Sequence, residues 1–320
     1  MKKYPIMVTI GLSFLFAGAV FAWVVIPEKI AAILLKLNTA SAGLSTKIVK
    51  TELGDIHYLE CGQGETIVLI HGIYARKEHW GEMARHLTDK YHVIAVDLPG
   101  FGDNGALHDD EYRIGRQKKN LLNVLDALSI ETAHFAANSM GAYVATLLAH
   151  ANPERVSSLA FVGSPLGVPN FIKSDMDLAL EHGIKPLLVR SETDFEARMG
   201  WLSPNPPYVP SPILKTWLKS EIAMAEKNER ISDVVHAQST ASTVLELVPT
   251  LAMKTFIVWC RFDRIFHVSG AVELAKRLKR SKLSVRDQCG HVPMLDRPID
   301  LAAVYLAFLR GADYDQLSGH

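Results

Sequence analysis

Three cysteines in 320 residues, Cys61, Cys260 and Cys289, are too few and too widely spaced to suggest a disulfide framework. With no C-x-x-C pair, a zinc site is not indicated either. Net charge is also lacking, because 34 Lys and Arg balance 34 Asp and Glu. No basic face is therefore on offer to nucleic acid, and the short basic run Arg116 to Lys119 fits the solvated side of a helix. Glycines occur in Asp97-Leu98-Pro99-Gly100-Phe101-Gly102, but neither G-x-G-x-x-G nor a following Lys-Ser/Thr accompanies them. That excludes a phosphate loop. Internal repeats and low-complexity tracts are absent. Apolar residues are abundant, at 48% of the chain, enough for one large α/β core.

Charge is missing altogether from Tyr4 to Pro27, and Ile6 to Val25 is almost wholly apolar. About 20 such residues cross a bilayer core as a helix, and Trp23 suits its interfacial end. A cleaved signal peptide is the alternative, with Ala17-Gly18-Ala19 or Val20-Phe21-Ala22 at its cleavage site. The length of the run favours an uncleaved anchor. Past Pro27, Ile30, Ile33, Leu34 and Leu37 share one helical face with Lys29 and Lys36 beside it. This pattern suits a helix lying in the membrane interface. Lys2 and Lys3 put the N-terminus in the cytoplasm and the remainder outside it, which is the periplasm in a bacterium. Residues 1–43 are thus predicted to be an anchor and interfacial segment, with Asn38 to Gly43 as a linker.

Further on, β-branched runs alternate with helical patterns, which implies a mostly parallel sheet covered on both faces. Strands are predicted near 47–52, 56–60, 67–70, 93–96, 133–137, 157–162, 256–258 and 283–286. The first two read as an antiparallel edge hairpin. Between Gly163 and Met253 this rhythm stops, and about ninety residues of helical patterns and proline-rich turns intervene, too long for a simple loop. The expected organisation is a core over 44–163 and 254–320 with a helical cap over 164–253. Leu178, Leu187, Leu188, Met199, Trp201, Leu214 and Trp217 are candidates for the cap's own core or for an acyl pocket.

The chemistry concentrates at strand ends. Phe135-Ala136-Ala137-Asn138-Ser139-Met140-Gly141-Ala142 is an apolar run ending in a serine flanked by small residues, the layout of a nucleophile elbow between strand and helix. Asp263 follows the run Phe256 to Cys260, and His291 follows Leu283 to Arg286. The order nucleophile, acid, histidine makes Ser139 the candidate nucleophile, His291 its base and Asp263 the group that orients the base. His267 stands too near Asp263 to cross a site, and His320 is the last residue. Upstream, Thr66 to Ile70 runs into His71-Gly72-Ile73. There the backbone N–H of Ile73, with that of Met140 after the nucleophile, is the candidate oxyanion hole. His71 reads as a structural loop histidine, and Cys289 as a strand-end cysteine packed beside the histidine loop rather than a catalytic thiol.

His71-Gly72, the Asp97 to Gly102 turn, Asn138-Ser139-Met140-Gly141, Asp263-Arg264 and Gly290-His291-Val292-Pro293 together resemble the αβ-hydrolase superfamily. The likeness is greatest to membrane-anchored monoacylglycerol lipases and related cold-active bacterial lipases. Val268-Ser269-Gly270-Ala271 and Pro206-Pro207-Tyr208-Val209-Pro210 support that subgroup, while Ala137, Ala142 and Cys260 stand where glycine is common. The resemblance implies an αβ-hydrolase fold, with a mostly parallel eight-stranded sheet flanked by helices and capped by the insert. It also implies a serine ester hydrolase acting on lipid esters, with no metal or organic cofactor. A carbon–carbon bond hydrolase of ring-cleavage products uses the same triad and an Asn-Ser-Met-Gly elbow. A ligand-binding sensor that retains the pocket is the reading from outside enzymes. Oligomeric state is not legible.

Overall fold

The computed structural model describes residues 23, 25–169, 171–237 and 243–312. The predicted membrane span lies outside the described residues apart from Trp23 and Val25. Among those described, no helix is long and apolar enough to cross a membrane. The first complete element, α1 (Pro27–Ser41), begins with Pro27, whose fixed φ suits the first helical position.

Eight strands form one sheet: β1 (Ser45–Thr51), β2 (Gly54–Cys61), β3 (Glu65–Ile70), β4 (Tyr91–Val96), β5 (Ala133–Ser139), β6 (Val156–Pro165), β7 (Lys254–Cys260) and β8 (Ser281–Arg286). Their spatial order is β1-β2-β4-β3-β5-β6-β7-β8. The predicted edge hairpin is present: β1 pairs antiparallel with β2, and β2 with β4, while the other neighbours run parallel. Side chains alternate across a strand, so Val68 and Ile70 enter one core while Ile67 and Leu69 enter the other. The first core is closed by α3 (Ile114–Ala127), α4 (Met140–Ala151) and, later in the chain, a helix over Ser269–Arg277. The second is closed by α2 (Gly81–Arg85) and a helix over Pro298–Leu309, where Phe308 stacks on Phe256 at 5.0 Å. Burial on both faces explains why the central strands read as unbroken apolar runs.

Between β6 and β7 come α5 (Asp175–Glu181), α6 (Glu192–Leu202), α7 (Ser211–Ala223), α8 (Ala225–Ala237) and α9 (Thr243–Leu247). After β7 follow α10 (Ser269–Arg277), α11 (Pro293–Asp296) and α12 (Pro298–Leu309). Helix α1 packs along α7. Trp23 Nε1 donates to Ser211 Oγ at 2.9 Å, and Lys219 pairs with Glu28 at 2.6 Å.

Three expectations are corrected here. The linker predicted from Asn38 is instead the last turn of α1, which continues through Ser41 and leaves only at Gly43, at φ +73°. Ser41 is held by its own bond to the Asn38 carbonyl and by Arg85, tertiary contacts that its small polar sequence does not disclose. The single apolar face predicted for this helix is divided. Ala31 is buried and Ile30 and Leu34 are half-buried, whereas Ile33 and Leu37 are exposed. Finally, Cys260 and Cys289 form a disulfide, with Cα atoms 5.4 Å apart. Their separation of 29 residues hides that β7 and β8 are parallel neighbours paired up to Cys260 opposite Arg286.

Candidate active site

Ser139 joins β5 to α4 with no intervening loop, at φ +52° and ψ −119°. A non-glycine residue in this region costs on the order of 1–3 kcal/mol, and such strain persists only where the surroundings impose it. Here they do. A Cβ on Gly141 would lie 2.3 Å from the His71 carbonyl oxygen, and one on Gly72 would lie 3.0 Å from the Ser139 Cβ. Ala137 and Ala142, the small residues beside this crossing, are fully buried.

Asp263 leaves the end of β7 and His291 follows β8, so both stand at the same C-terminal edge of the sheet as Ser139. His291 Nδ1 lies 3.1 Å from Asp263 Oδ2. Because a carboxylate only accepts, the proton belongs on Nδ1. The other oxygen, Oδ1, accepts from the Ile265 and Phe266 N–H groups at 2.9 and 3.0 Å, which fixes the carboxylate plane. Both residues are buried.

The histidine loop is held from two further sides. The His291 N–H donates to the Leu202 carbonyl at the end of α6, at 2.8 Å. Its carbonyl accepts from Asn138 Nδ2 at 3.0 Å, and the same amide donates to the Val162 carbonyl at 2.7 Å. Asn138 thus ties the elbow, the end of β6 and the histidine loop together. It was legible only as part of the Asn-Ser-Met-Gly string, and nothing in the spacing signalled this role. Asp296 was missed entirely. Its Oδ2 accepts from the Gly290 N–H at 2.7 Å, and burial raises its pKa above the ordinary carboxylate range.

At the oxyanion loop, His71 Nε2 accepts from the Leu98 N–H at 2.9 Å. A backbone N–H can only donate, so the ring proton is on Nδ1, which donates to the Gly72 carbonyl at 2.7 Å. That carbonyl belongs to the same peptide plane as the Ile73 N–H and fixes its direction. Among the described residues the Ile73 N–H meets no acceptor. Met140 is the first residue of α4, so its N–H has no acceptor within the helix. Full burial lowers the His71 pKa, more than Asp97 raises it. Behind this loop a buried ion pair holds Lys77 Nζ 2.8 Å from Asp97 Oδ2, while the Lys77 N–H donates to Asp97 Oδ1 at 2.7 Å. No pattern in the sequence announced Lys77.

The insert contributes a cleft of about 270 Å³ between α6 and α7, lined by Phe195, Met199, Leu214 and Leu218 with Glu196 and Lys215 at its polar side. Of the candidate pocket residues, Met199 and Leu214 line this cleft and Leu188 is buried. Leu187 and Trp217 are half-buried, and Trp201 lies 4.1 Å beneath the Arg264 guanidinium. Leu178 is exposed on α5 and serves neither role. Among the described residues no cluster of His, Cys, Asp and Glu could hold a metal ion.

The sequence and the fold have known counterparts. A crystal structure of a membrane phospholipase A, described as a bacterial virulence factor, superposes with a TM-score of 0.87 at 34% identity, covering 95% of this chain and 98% of that one. Lipase 1 of Psychrobacter immobilis is 27% identical over 279 residues, 86% of this chain and 84% of the relative. A 2-hydroxy-6-oxo-6-phenylhexa-2,4-dienoate hydrolase of Comamonas testosteroni is 27% identical over 288 residues, 86% of this chain and 99% of the relative. A monoacylglycerol lipase of Bos taurus, ABHD6, is 24% identical over 257 residues, 78% of this chain and 76% of the relative. The Alpha/beta hydrolase family model matches residues 67–304. With three quarters of its length inside that match, the chain belongs to the alpha/beta hydrolase family.

Proposed function

We propose that the protein is a serine hydrolase of lipid acyl esters, with Ser139 as nucleophile, His291 as general base and Asp263 as its orienting acid. The observation that carries this reading is the buried Asp263–His291 hydrogen bond at the strand edge where Ser139 is held in elbow geometry. His291 takes the Ser139 proton as Oγ attacks the ester carbonyl, and the new imidazolium is stabilised by Asp263. The N–H groups of Ile73 and Met140 receive the developing oxyanion, each worth on the order of 3 kcal/mol. Collapse of the tetrahedral intermediate expels the alcohol, which takes the proton from His291. Water then repeats the sequence on the acyl-enzyme and releases the acid. No metal or organic cofactor enters these steps.

Lipid esters are favoured as substrates by the uncharged segment Tyr4 to Pro27, by the outward Ile33 and Leu37 of α1, and by the apolar cleft in the insert. Residues 4–27 serve as a single-pass anchor, with the catalytic part outside the cytoplasm. The relatives named for lipases and for phospholipase A agree with an acylglycerol or glycerophospholipid substrate. The relative from Comamonas testosteroni keeps carbon–carbon bond hydrolysis as the second reading.

The test is hydrolysis by the detergent-solubilised full chain of p-nitrophenyl esters, monoacylglycerols and phospholipids of graded acyl length, beside Ser139→Ala. The expected result is turnover that prefers glycerolipids and vanishes in the variant. Turnover of a ring-cleavage dienoate with none on any ester would transfer the assignment to the second reading.

A further inference from the structure

We infer that the Cys260–Cys289 disulfide positions the acid–base pair, so that full activity requires a compartment where thiols are oxidised; the inference rests on the roles proposed for Asp263 and His291. Cys260 ends β7, three residues before Asp263, and Cys289 stands two residues before His291. The bridge therefore joins the roots of the two loops whose side chains meet at 3.1 Å. Both cysteines are fully buried.

The histidine loop needs such a tie. It leaves β8, the edge strand of the sheet, which pairs with β7 alone and is only half-buried along most of its length. Strand pairing ends at Cys260 opposite Arg286, and the chain then turns through Gln288 at φ +58°. Beyond that point the two loops are linked by one backbone bond, from the Arg261 N–H to the Arg286 carbonyl at 2.8 Å, and by the Phe266 ring tilted against His291 at 5.7 Å. The Arg261–Asp287 ion pair also links them, but it is exposed on both sides and so contributes little. The Leu202 and Asn138 bonds fix His291 against the insert and the elbow, not against Asp263. A displacement of about 1 Å in such a pair can cost up to about a hundredfold in rate.

Forming the bond removes two protons and two electrons from the thiols. A disulfide-bearing oxidant takes them up and leaves as a dithiol. Such oxidants maintain disulfides outside the cytoplasm, whereas cytoplasmic thiols are kept reduced. This agrees with the placement inferred from Lys2, Lys3 and the apolar run, and it is an independent reason for it.

The experiment uses the full chain carrying Cys61→Ser, which leaves Cys260 and Cys289 as its cysteines. Its kcat and KM on p-nitrophenyl butyrate, and its rate of labelling by a fluorophosphonate, are compared with those of Cys260→Ala/Cys289→Ala well below the melting temperature of both. The expected result is a fall in kcat of about tenfold to a hundredfold, with KM within about twofold and labelling slowed in step. A variant that melts earlier but keeps the parent kcat would overturn the inference, because the bridge would then be a staple and nothing more. Should the double variant not fold, the folded parent is titrated with dithiothreitol and its thiols are counted by alkylation and mass spectrometry. Activity that falls with the intact bridge supports the inference; activity unchanged as the bridge opens refutes it. A parent that takes up no fluorophosphonate at all, with its disulfide intact, contradicts the hydrolase reading itself.

Discussion

The C-terminal edge of the sheet and the helical insert above it are held together by different physics. At the edge, backbone meets backbone: Gly141 lies against the His71 carbonyl, Gly290 against the Leu202 carbonyl, and Ser139 is strained into place. Polar groups there are buried and paired, as with Asp263, Asn138, His71 and Lys77. The insert sets Ile231, Val235 and Val244 into the core beneath it and adds ion pairs that are partly or wholly exposed, such as Lys185–Glu229, Arg190–Glu229 and Arg264–Asp175. It leaves Leu178, Leu180 and Ile184 open to solvent. Surface pairs contribute roughly 0–1 kcal/mol each, so these contacts hold the insert less tightly than the buried network holds the edge. On the function proposed above, chemistry belongs to the edge and substrate choice to the insert.

The largest expected effect breaks the edge at its reacting atom. Ser139→Ala lowers kcat by at least about 10⁴-fold while leaving the fold and the melting temperature unchanged, measurable by ester turnover beside circular dichroism. Next comes packing. Gly141→Ala places a Cβ 2.3 Å from the His71 carbonyl oxygen and 2.8 Å from Ile70 Cγ2. This overpacking destabilises by about 3 kcal/mol or more, read as a lowered urea midpoint. A substitution tolerated without loss would mean the elbow is looser than its geometry.

The third prediction concerns acid. Burial depresses the His71 pKa in the folded chain, and His79 is pushed down to about 3 for the same reason. The unfolded chain takes up these protons near the ordinary imidazole value and the folded chain does not. Stability is therefore complete at neutral pH and declines as pH falls below about 6.5, by up to about 1.4 kcal/mol per pH unit for each such histidine. Urea unfolding at successive pH values checks the slope, and His71→Asn should flatten it. Equal stability at pH 7.5 and pH 5.5 would contradict the buried, neutral state of both rings.

In the insert the effects are smaller and selective. With the cleft between α6 and α7 taken as the acyl site of the proposed function, Met199→Trp fills it and shifts the preferred acyl length downward, by about 1–3 kcal/mol of discrimination between long and short chains. Activity on the shortest ester should stay near that of the parent. Loss on all chain lengths alike would show that the cleft bears on the fold, not on choice. Smallest of all, Lys219→Ala removes the exposed pair with Glu28 between α7 and α1 and changes stability by less than about 1 kcal/mol.

The same contrast explains what could be read from the chain. Buried parallel strands write themselves as apolar runs, so all eight strands were found, with ends extending one to three residues beyond expectation at Ser139 and Pro165 among others. That Ser139, Asp263 and His291 stand at one edge of the sheet was legible because the first ends such a run and the other two follow one. The roles of Asn138, Asp296 and Lys77 were not, since Asn138 and Asp296 bond to backbone groups that no motif marks and Lys77 meets a carboxylate on another segment. The disulfide was hidden because cysteines far apart in sequence stand on neighbouring strand ends. In the insert only the loss of strand–helix rhythm could be seen. Which side of α1 would be covered depended on α7, a partner nearly two hundred residues away in the chain.

One measurement tests the central claim most directly: treatment of the folded protein with a fluorophosphonate, followed by mapping of the adduct by mass spectrometry. The account predicts a single phosphonylated residue, Ser139, and labelling that is abolished by His291→Ala with the fold intact. A folded, oxidised protein that remains unlabelled, or is labelled at another serine, would contradict it.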